Sequence, residues 1–205
     1  LVGAYKFLLD KHRDWYLADG AEKHTKRLYQ GRGGQWYLTT AEKKRILLSN
    51  IYGVDIDSQA VEVTKLNLLL CVMENENQST IGQMELIHER ILPDLSNNIK
   101  CGNSLIGHDF YQGQQLDLFD TEAQIRINAF DWETEFPEAF KGKKLGFDAV
   151  IGNPPYVRQE GLKEYKEYFS SHYASYQATA DLYVYFMELG LRLLGTGGRY
   201  GIIVS

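Results

Sequence analysis

Phe147-Asp148-Ala149-Val150-Ile151-Gly152-Asn153-Pro154-Pro155-Tyr156 decides how this chain is read. An apolar run of strand length ends in a diproline turn. Each proline holds its own φ at about −65° and pushes the residue before it out of the helical region. Asn153 is therefore extended, and its side-chain acceptor is positioned before any ligand arrives. A planar exocyclic amine is a poor nucleophile because its lone pair is delocalised into the ring. The Asn153 side-chain carbonyl and the Pro154 backbone carbonyl can accept one N–H each, which turns the lone pair toward an incoming methyl group. Pro155 keeps the turn stiff. Tyr156 is free to stack on a base, a contact worth roughly 1–3 kcal/mol. The same residues would also suit a plain turn closing a strand, with none of this chemistry.

Downstream of the turn, Leu182, Tyr185, Phe186, Leu189, Leu193 and Leu194 repeat at helical spacing from Thr179 until Gly195. Gly197-Gly198 then leads into a final strand over Tyr200-Gly201-Ile202-Ile203-Val204. Upstream, the spacing predicts a helix over Leu1 to Leu17, an inserted loop over residues 18 to 40, and a helix through Leu48 opened by the capping box Thr39-Thr40-Ala41-Glu42. A strand over Ile51 to Asp55 follows. Next comes a helix over Gln59 to Glu74 with Val61, Lys65, Leu68 and Val72 on one stripe, then a strand over Asn98 to Cys101. The polar stretch from Asp109 to Lys144 reads as a surface insertion. Strands alternating with helices imply an α/β class with a mostly parallel sheet covered on both faces.

A second constellation lies at Gly53-Val54-Asp55-Ile56-Asp57, an acid at the carboxyl end of an apolar strand that opens onto a helix. In a doubly wound sheet such a carboxylate accepts both ribose hydroxyls of a nucleoside cofactor. Read locally, Asp57 is a helix N-cap and Asp55 a turn acid. Cys101-Gly102-Asn103-Ser104-Leu105 occupies the analogous position between this motif and the diproline turn. Asn103 and Ser104 suit either the edge of an adenine or a Gly-Asn turn.

With 205 residues, 44% hydrophobic and 13% aromatic, the chain suits one domain with a substantial core. Leu66 to Met73 is interrupted by Asn67 and is too short to span a bilayer. No export signal is visible, which implies an intracellular, cytoplasmic setting. Cys71 and Cys101 lack CxxC spacing and read as buried reduced thiols rather than a disulfide or metal pair. The formal net charge of −5 opposes a strong grip on a polyanion. Basic runs at Lys23 to Arg27 with Arg32, at Lys43 to Arg45, and at Lys141 with Lys143-Lys144 read as solvated faces.

These motifs, in this order, resemble the DNA adenine-N6 methyltransferases of the gamma order. The nearest likeness is to the large methylases of Type II systems that carry modification and cleavage on one polypeptide. The resemblance rests on Tyr52 to Asp57 with Ala60-Val61, on Ile99 to Leu105, on Phe147 to Val157, and on Ala180-Asp181-Leu182-Tyr183 leading to Gly197-Gly198. It implies a Rossmann-like, doubly wound class I fold that uses S-adenosyl-L-methionine. Asp55 would bind the cofactor ribose, Ile56 would pack on its adenine, and Asn103 with Ser104 would take the adenine edge. The family often has Asp where this chain has Asn103. Asn153 and Pro154 would hold the target amine and Tyr156 would stack on the flipped base.

The resemblance further implies that residues 1–205 are a partial catalytic domain, truncated at both ends. The Gly-rich cofactor turn would precede Leu1 and a target-recognition domain would follow Ser205. Double-stranded DNA is the expected partner, gripped mainly from outside this segment, with a nuclease possible on the same parent chain. Rival readings are enzymes that methylate RNA or the side-chain amide of glutamine, and a scaffold of the same fold without turnover. The long segment between Val157 and Asp181 favours DNA, and the intact Asn-Pro-Pro-Tyr argues against the scaffold.

Overall fold

The computed structural model describes residues 1–31, 33–74, 92–111, 127–142, 145–155, 157, 162 and 164–204. They fall into two compact units, Leu1–Cys101 and Gly102–Ser205. No helix among the described residues is long and apolar enough to cross a membrane.

In the first unit, helix α1 (Val2–Asp19) runs until Gly20, whose φ of 105° ends it in a region that favours glycine. Residues 18 to 40, expected as a loop, instead contain a hairpin. Strands β1 (Leu28–Gln30) and β2 (Trp36–Leu38) pair antiparallel with Leu28 opposite Leu38. Both leucines are buried. Three-residue strands are too short for alternation to show in the sequence, and only burial of the Leu28 and Leu38 pair marks them. Gly33 and Gly34 turn the hairpin at positive φ.

Helix α2 (Thr40–Asn50) begins where expected, with Thr39 Oγ1 accepting from the Glu42 N–H at 3.3 Å. The capping box is one-sided, however. Glu42 is buried and spends its carboxylate on Tyr16 Oη and the Arg45 guanidinium, while the Thr39 N–H donates to the Arg27 carbonyl at 2.8 Å. Strand β3 (Gly53–Asp55) feeds helix α3 (Ser58–Met73), and Asp57 Oδ1 caps that helix through the Gln59 N–H at 2.8 Å. Val61, Leu68 and Val72 are buried as the stripe requires. Lys65 pairs instead with Glu62 at 2.8 Å.

Strand β4 (Ile99–Cys101) lies parallel to β3, with Asp55 opposite Cys101. Parallel strands need a crossover, which α3 provides. Asn98, buried before β4, donates its amide to the Leu48 and Ile51 carbonyls at 2.9 Å each, satisfying acceptors where α2 ends and the chain turns toward β3.

The second unit contains the short helix α4 (Trp132–Glu135), then strand β5 (Phe147–Gly152), helices α5 (Lys166–His172) and α6 (Leu182–Arg192), and strand β6 (Leu194–Ile202). β5 and β6 are parallel, with Ala149 opposite Arg199 and Gly152 opposite Ile202. Helix α6 ends before the expected Gly195, and β6 starts earlier than the expected Tyr200. The register shifts between Phe147 and Ala149 as β6 passes through its glycines, with Gly197 at φ 80°. Gly146 enters β5 at φ 144°, where a Cβ would meet the Gly195 nitrogen at 2.5 Å. Gly190 has the same function on α6, since a Cβ there would lie 2.3 Å from the Tyr200 ring.

A buried cluster of Leu105, Ile106, Ile127, Leu162, Phe169, Tyr173 and Tyr185 forms this unit's core, with the Phe169 and Tyr185 rings stacked at 4.4 Å. The stretch from Asp109 to Lys144 is therefore not all surface: Ile127, Phe130 and Phe136 are buried. Among the described residues the strands form three two-stranded sheets, one antiparallel and two parallel, which makes the chain a mixed α/β structure with small parallel sheets.

Candidate active site

The diproline turn begins at the carboxyl end of β5. Gly152 is tied to its neighbour by the Ile203 N–H, which donates to the Gly152 carbonyl at 3.0 Å. Asn153 is exposed and Pro154 buried. The Val157 N–H donates to the Pro155 carbonyl at 3.0 Å, and the Leu182 N–H donates to the Val157 carbonyl at 3.1 Å. The turn is thus fastened just before and just after the prolines. The Asn153 side chain makes no hydrogen bond with the described residues, so its acceptor and donors are available. Tyr156, the expected stacking residue, lies outside the described residues.

The carboxyl end of β3 is built differently. Asp55 Oδ1 accepts from the Asp57 N–H at 2.9 Å, and Asp57 in turn caps α3. Both local readings of these acids therefore hold, and both leave Asp55 exposed with its second oxygen uncommitted among the described residues. Ile56 between them is 57% exposed, and its carbonyl accepts from Cys101 Sγ at 3.4 Å, joining the ends of β3 and β4. Neither Cys71 nor Cys101 is in a disulfide; Cys71 is buried and Cys101, expected buried as well, is only half-buried, and burial pushes the Cys71 thiol up from its ordinary pKa.

Asn103 and Ser104 share one turn in the second unit. The Asn103 N–H donates to the Asn128 carbonyl at 2.6 Å, and Asn103 Oδ1 accepts from the Leu105 N–H at 3.2 Å. The Ser104 carbonyl accepts from Trp132 Nε1 at 3.1 Å. Gly102 is pressed on the Phe130 ring, where a Cβ would sit 2.5 Å from the nearest ring carbon. Asn128, Phe130 and Trp132 thus shape a turn from a segment that reads as surface. Its aromatic spacing was the one available signal.

Two further polar groupings in this unit escape the sequence. His172 Nε2 and Tyr168 Oη meet opposite oxygens of Asp109 at 2.8 and 2.9 Å, and the His172 and Tyr168 rings stack at 3.9 Å. Burial, and then the Asp109 carboxylate, pushes the Tyr168 phenol up to about 12, moderated by the Gly107 N–H. Burial alone would raise Glu188. The Ser175 and Ala174 N–H groups at 2.7 and 3.0 Å and the Arg192 guanidinium outweigh it, holding the carboxyl at about 2.

Residues 49–205 match the Eco57I restriction-modification methylase family. The chain belongs to that family. Along all of its length it is 31% identical to the type II restriction enzyme and methyltransferase RM.Eco57I of Escherichia coli. Over 40% of its length it is 43% identical to the type II methyltransferase M.BstVI of Geobacillus stearothermophilus. Over 79% it is 25% identical to the adenine-specific methyltransferase PglX of Streptomyces coelicolor. This Eco57I-family chain spans 18%, 14% and 13% of the lengths of those three relatives.

Proposed function

We propose that this chain carries the catalytic core of a DNA methyltransferase that places a methyl group from S-adenosyl-L-methionine on the N6 amine of an adenine swung out of the duplex. The reading assigns it the doubly wound class I fold and a place in a restriction-modification or related defence system, with nuclease and target-recognition domains on the same parent chain. The observation that carries it is Asn153, exposed and without a hydrogen bond to the described residues, at the carboxyl end of a parallel strand beside a buried proline. Family membership supports the same conclusion, and so does a relative named as adenine-specific.

The strand end of the first unit fits an adenosyl group. Asp55 offers a carboxylate oxygen to a ribose hydroxyl, and the exposed Ile56 offers apolar surface to a planar ring. Asn103 and Ser104 are assigned to the adenine edge. Asn103 Oδ1 is already shared with Leu105, so its amide N–H groups have the spare capacity, which suits a ring nitrogen better than an exocyclic amine. When bound, S-adenosyl-L-methionine supplies a methyl group on a positively charged sulfur.

Everything else is done by the chain. Asn153 accepts one N–H of the target amine and the Pro154 carbonyl the other, drawing the lone pair out of the ring plane. Tyr156 stacks on the base. Pro154 and Pro155 hold these acceptors in place without using a donor of their own. The methylated amine is cationic and strongly acidic, so its proton leaves without a strong base.

Transfer of tritiated methyl by the full-length protein tests this. Duplex DNA should be labelled, and the same DNA already carrying N6-methyladenine at the target should not. Labelling of RNA or a protein glutamine in preference to DNA would replace the proposal with one of its rivals.

A further inference from the structure

The first unit carries a hollow of about 410 Å³ that the proposed methyl transfer leaves unused. Leu8, Lys11, His12, Trp15, Tyr16, Arg27 and Arg45 line it. Trp15 is 58% exposed, and one side is backed by the Tyr16 ring at 5.1 Å and the His24 ring at 5.8 Å. The Arg27 guanidinium lies 5.2 Å over the Tyr16 ring and gives that residue's hydroxyl a hydrogen bond at 3.3 Å. The rest of its fork has no partner among the described residues. The Lys11 ammonium lies 5.6 Å over the Phe7 ring and has no hydrogen bond or ion pair among the described residues. Arg45 is neutralised by Glu42, through bonds of 2.9 and 2.7 Å. His12 Nδ1 bonds the Leu8 carbonyl at 2.8 Å, which makes Nδ1 the donor and leaves Nε2 free to bond a ligand.

Among the described residues Lys11 has no acidic partner, and Arg27 feels only the charge of Glu42, a carboxylate already bonded to Tyr16 and Arg45. Such cations beside an open indole are unexpected on a chain of net charge −5. Their chemistry matches a nucleotide: a phosphate for the cations, a flat base for the indole. The volume falls in the range of small-ligand sites, about 300–1,000 Å³. We propose that this hollow binds a nucleotide, with Lys11 and Arg27 on the phosphate and Trp15 stacked on the base. The nucleotide is either an unpaired residue of a nucleic-acid strand or a free mononucleotide. The inference does not depend on the methyltransferase reading.

The test is calorimetric titration of the full-length protein with thymidine monophosphate, with a single-stranded oligothymidylate, and with inorganic phosphate. Thymine has no exocyclic amine, so neither ligand calls on Asn153 and Pro154, and a failed methylation assay would leave this result intact. Saturable binding of the monophosphate indicates a free-nucleotide site. Binding of the oligomer alone indicates a strand site. In either case K11Q combined with R27Q should weaken binding at least tenfold, and for the oligomer it should lower the slope of log affinity against log salt by about 1 or more. W15L should weaken it at least about fivefold, with the salt slope kept. All three side chains are on the surface, and circular dichroism of each variant checks that it folds. No saturable binding of either thymidine ligand, unchanged affinity in the double variant, or inorganic phosphate binding as tightly as the nucleotide would each overturn the proposal.

Discussion

The ends of β3 and β5 reach a similar result by opposite means. At β3 the chain is held by hydrogen bonds: Asp55 to the Asp57 N–H, Asp57 to the Gln59 N–H, Cys101 Sγ to the Ile56 carbonyl. At β5 the stiffness is covalent, two pyrrolidine rings with no N–H to satisfy, so the Asn153 side chain is rigidly connected yet unbonded among the described residues. The difference teaches how a polar side chain can be both positioned and available. Where hydrogen bonds do the holding, part of the functional group is consumed in its own support. Where ring closure does it, the whole group remains for a ligand.

The largest expected effect is on turnover. Asn153→Ala in the full-length protein should slow methyl transfer by about 10²–10³, while its melting temperature stays near wild type, because the side chain is exposed and hydrogen-bonds none of the described residues. A rate close to wild type would remove Asn153 from the mechanism. Asp55→Ala should behave in the opposite manner and touch both properties. Cofactor affinity should fall by roughly tenfold or more, and stability by about 0.5–1.5 kcal/mol from the lost bond to the Asp57 N–H. Asp55→Asn keeps an oxygen for that N–H, so stability should return while affinity stays low. Equal destabilisation by both variants would show that the local bond is not what Asp55 contributes.

Loosening the elbow is a milder perturbation. Pro155→Ala should lower turnover by about tenfold through lost preorganisation, and unfolding measurements should find a change of no more than about 1 kcal/mol. The smallest effect concerns Glu188, a hydrogen-bonded clasp on α6 within the same unit as the elbow. Its folded pKa is depressed to about 2. Its contribution is therefore fully present above the unfolded carboxylate value and disappears as pH falls from that value through about 2. Melting temperature should drop across that window, and Glu188→Gln should flatten the drop. A variant that melts with the same acid slope would assign it to other carboxylates.

Much of the scaffold was legible because its signals are local. Thr39 and Asp57 cap their helices through bonds spanning two or three residues, and Val61, Leu68 and Val72 reveal a buried stripe by spacing alone. The partners of Glu42 were not legible. The Ser/Thr-x-x-Glu pattern promises a return bond to the cap residue, but Tyr16 and Arg45 lie close enough to take the carboxylate. Asn98 reads as the first residue of a strand until the carbonyls of Leu48 and Ile51 are found beside it. Phe130 and Trp132 lie in a segment rich in polar residues, and only their contacts to Gly102 and the Ser104 carbonyl show that they build a site turn.

The order of the motifs and the stiffness of the Asn153-Pro154-Pro155 turn follow from the chain alone, because proline geometry and strand-to-helix periodicity are properties of neighbouring residues. Tertiary structure decided which polar groups are already in use. It spends one oxygen of Asp55 and the carbonyl of Asn103 on nearby N–H groups, leaves Asn153 open, and gathers Lys11, Trp15 and Arg27 around one hollow. The Asp55 and Asn103 bonds span only two residues, whereas the hollow depends on distances between residues further apart in sequence, which no local pattern encodes.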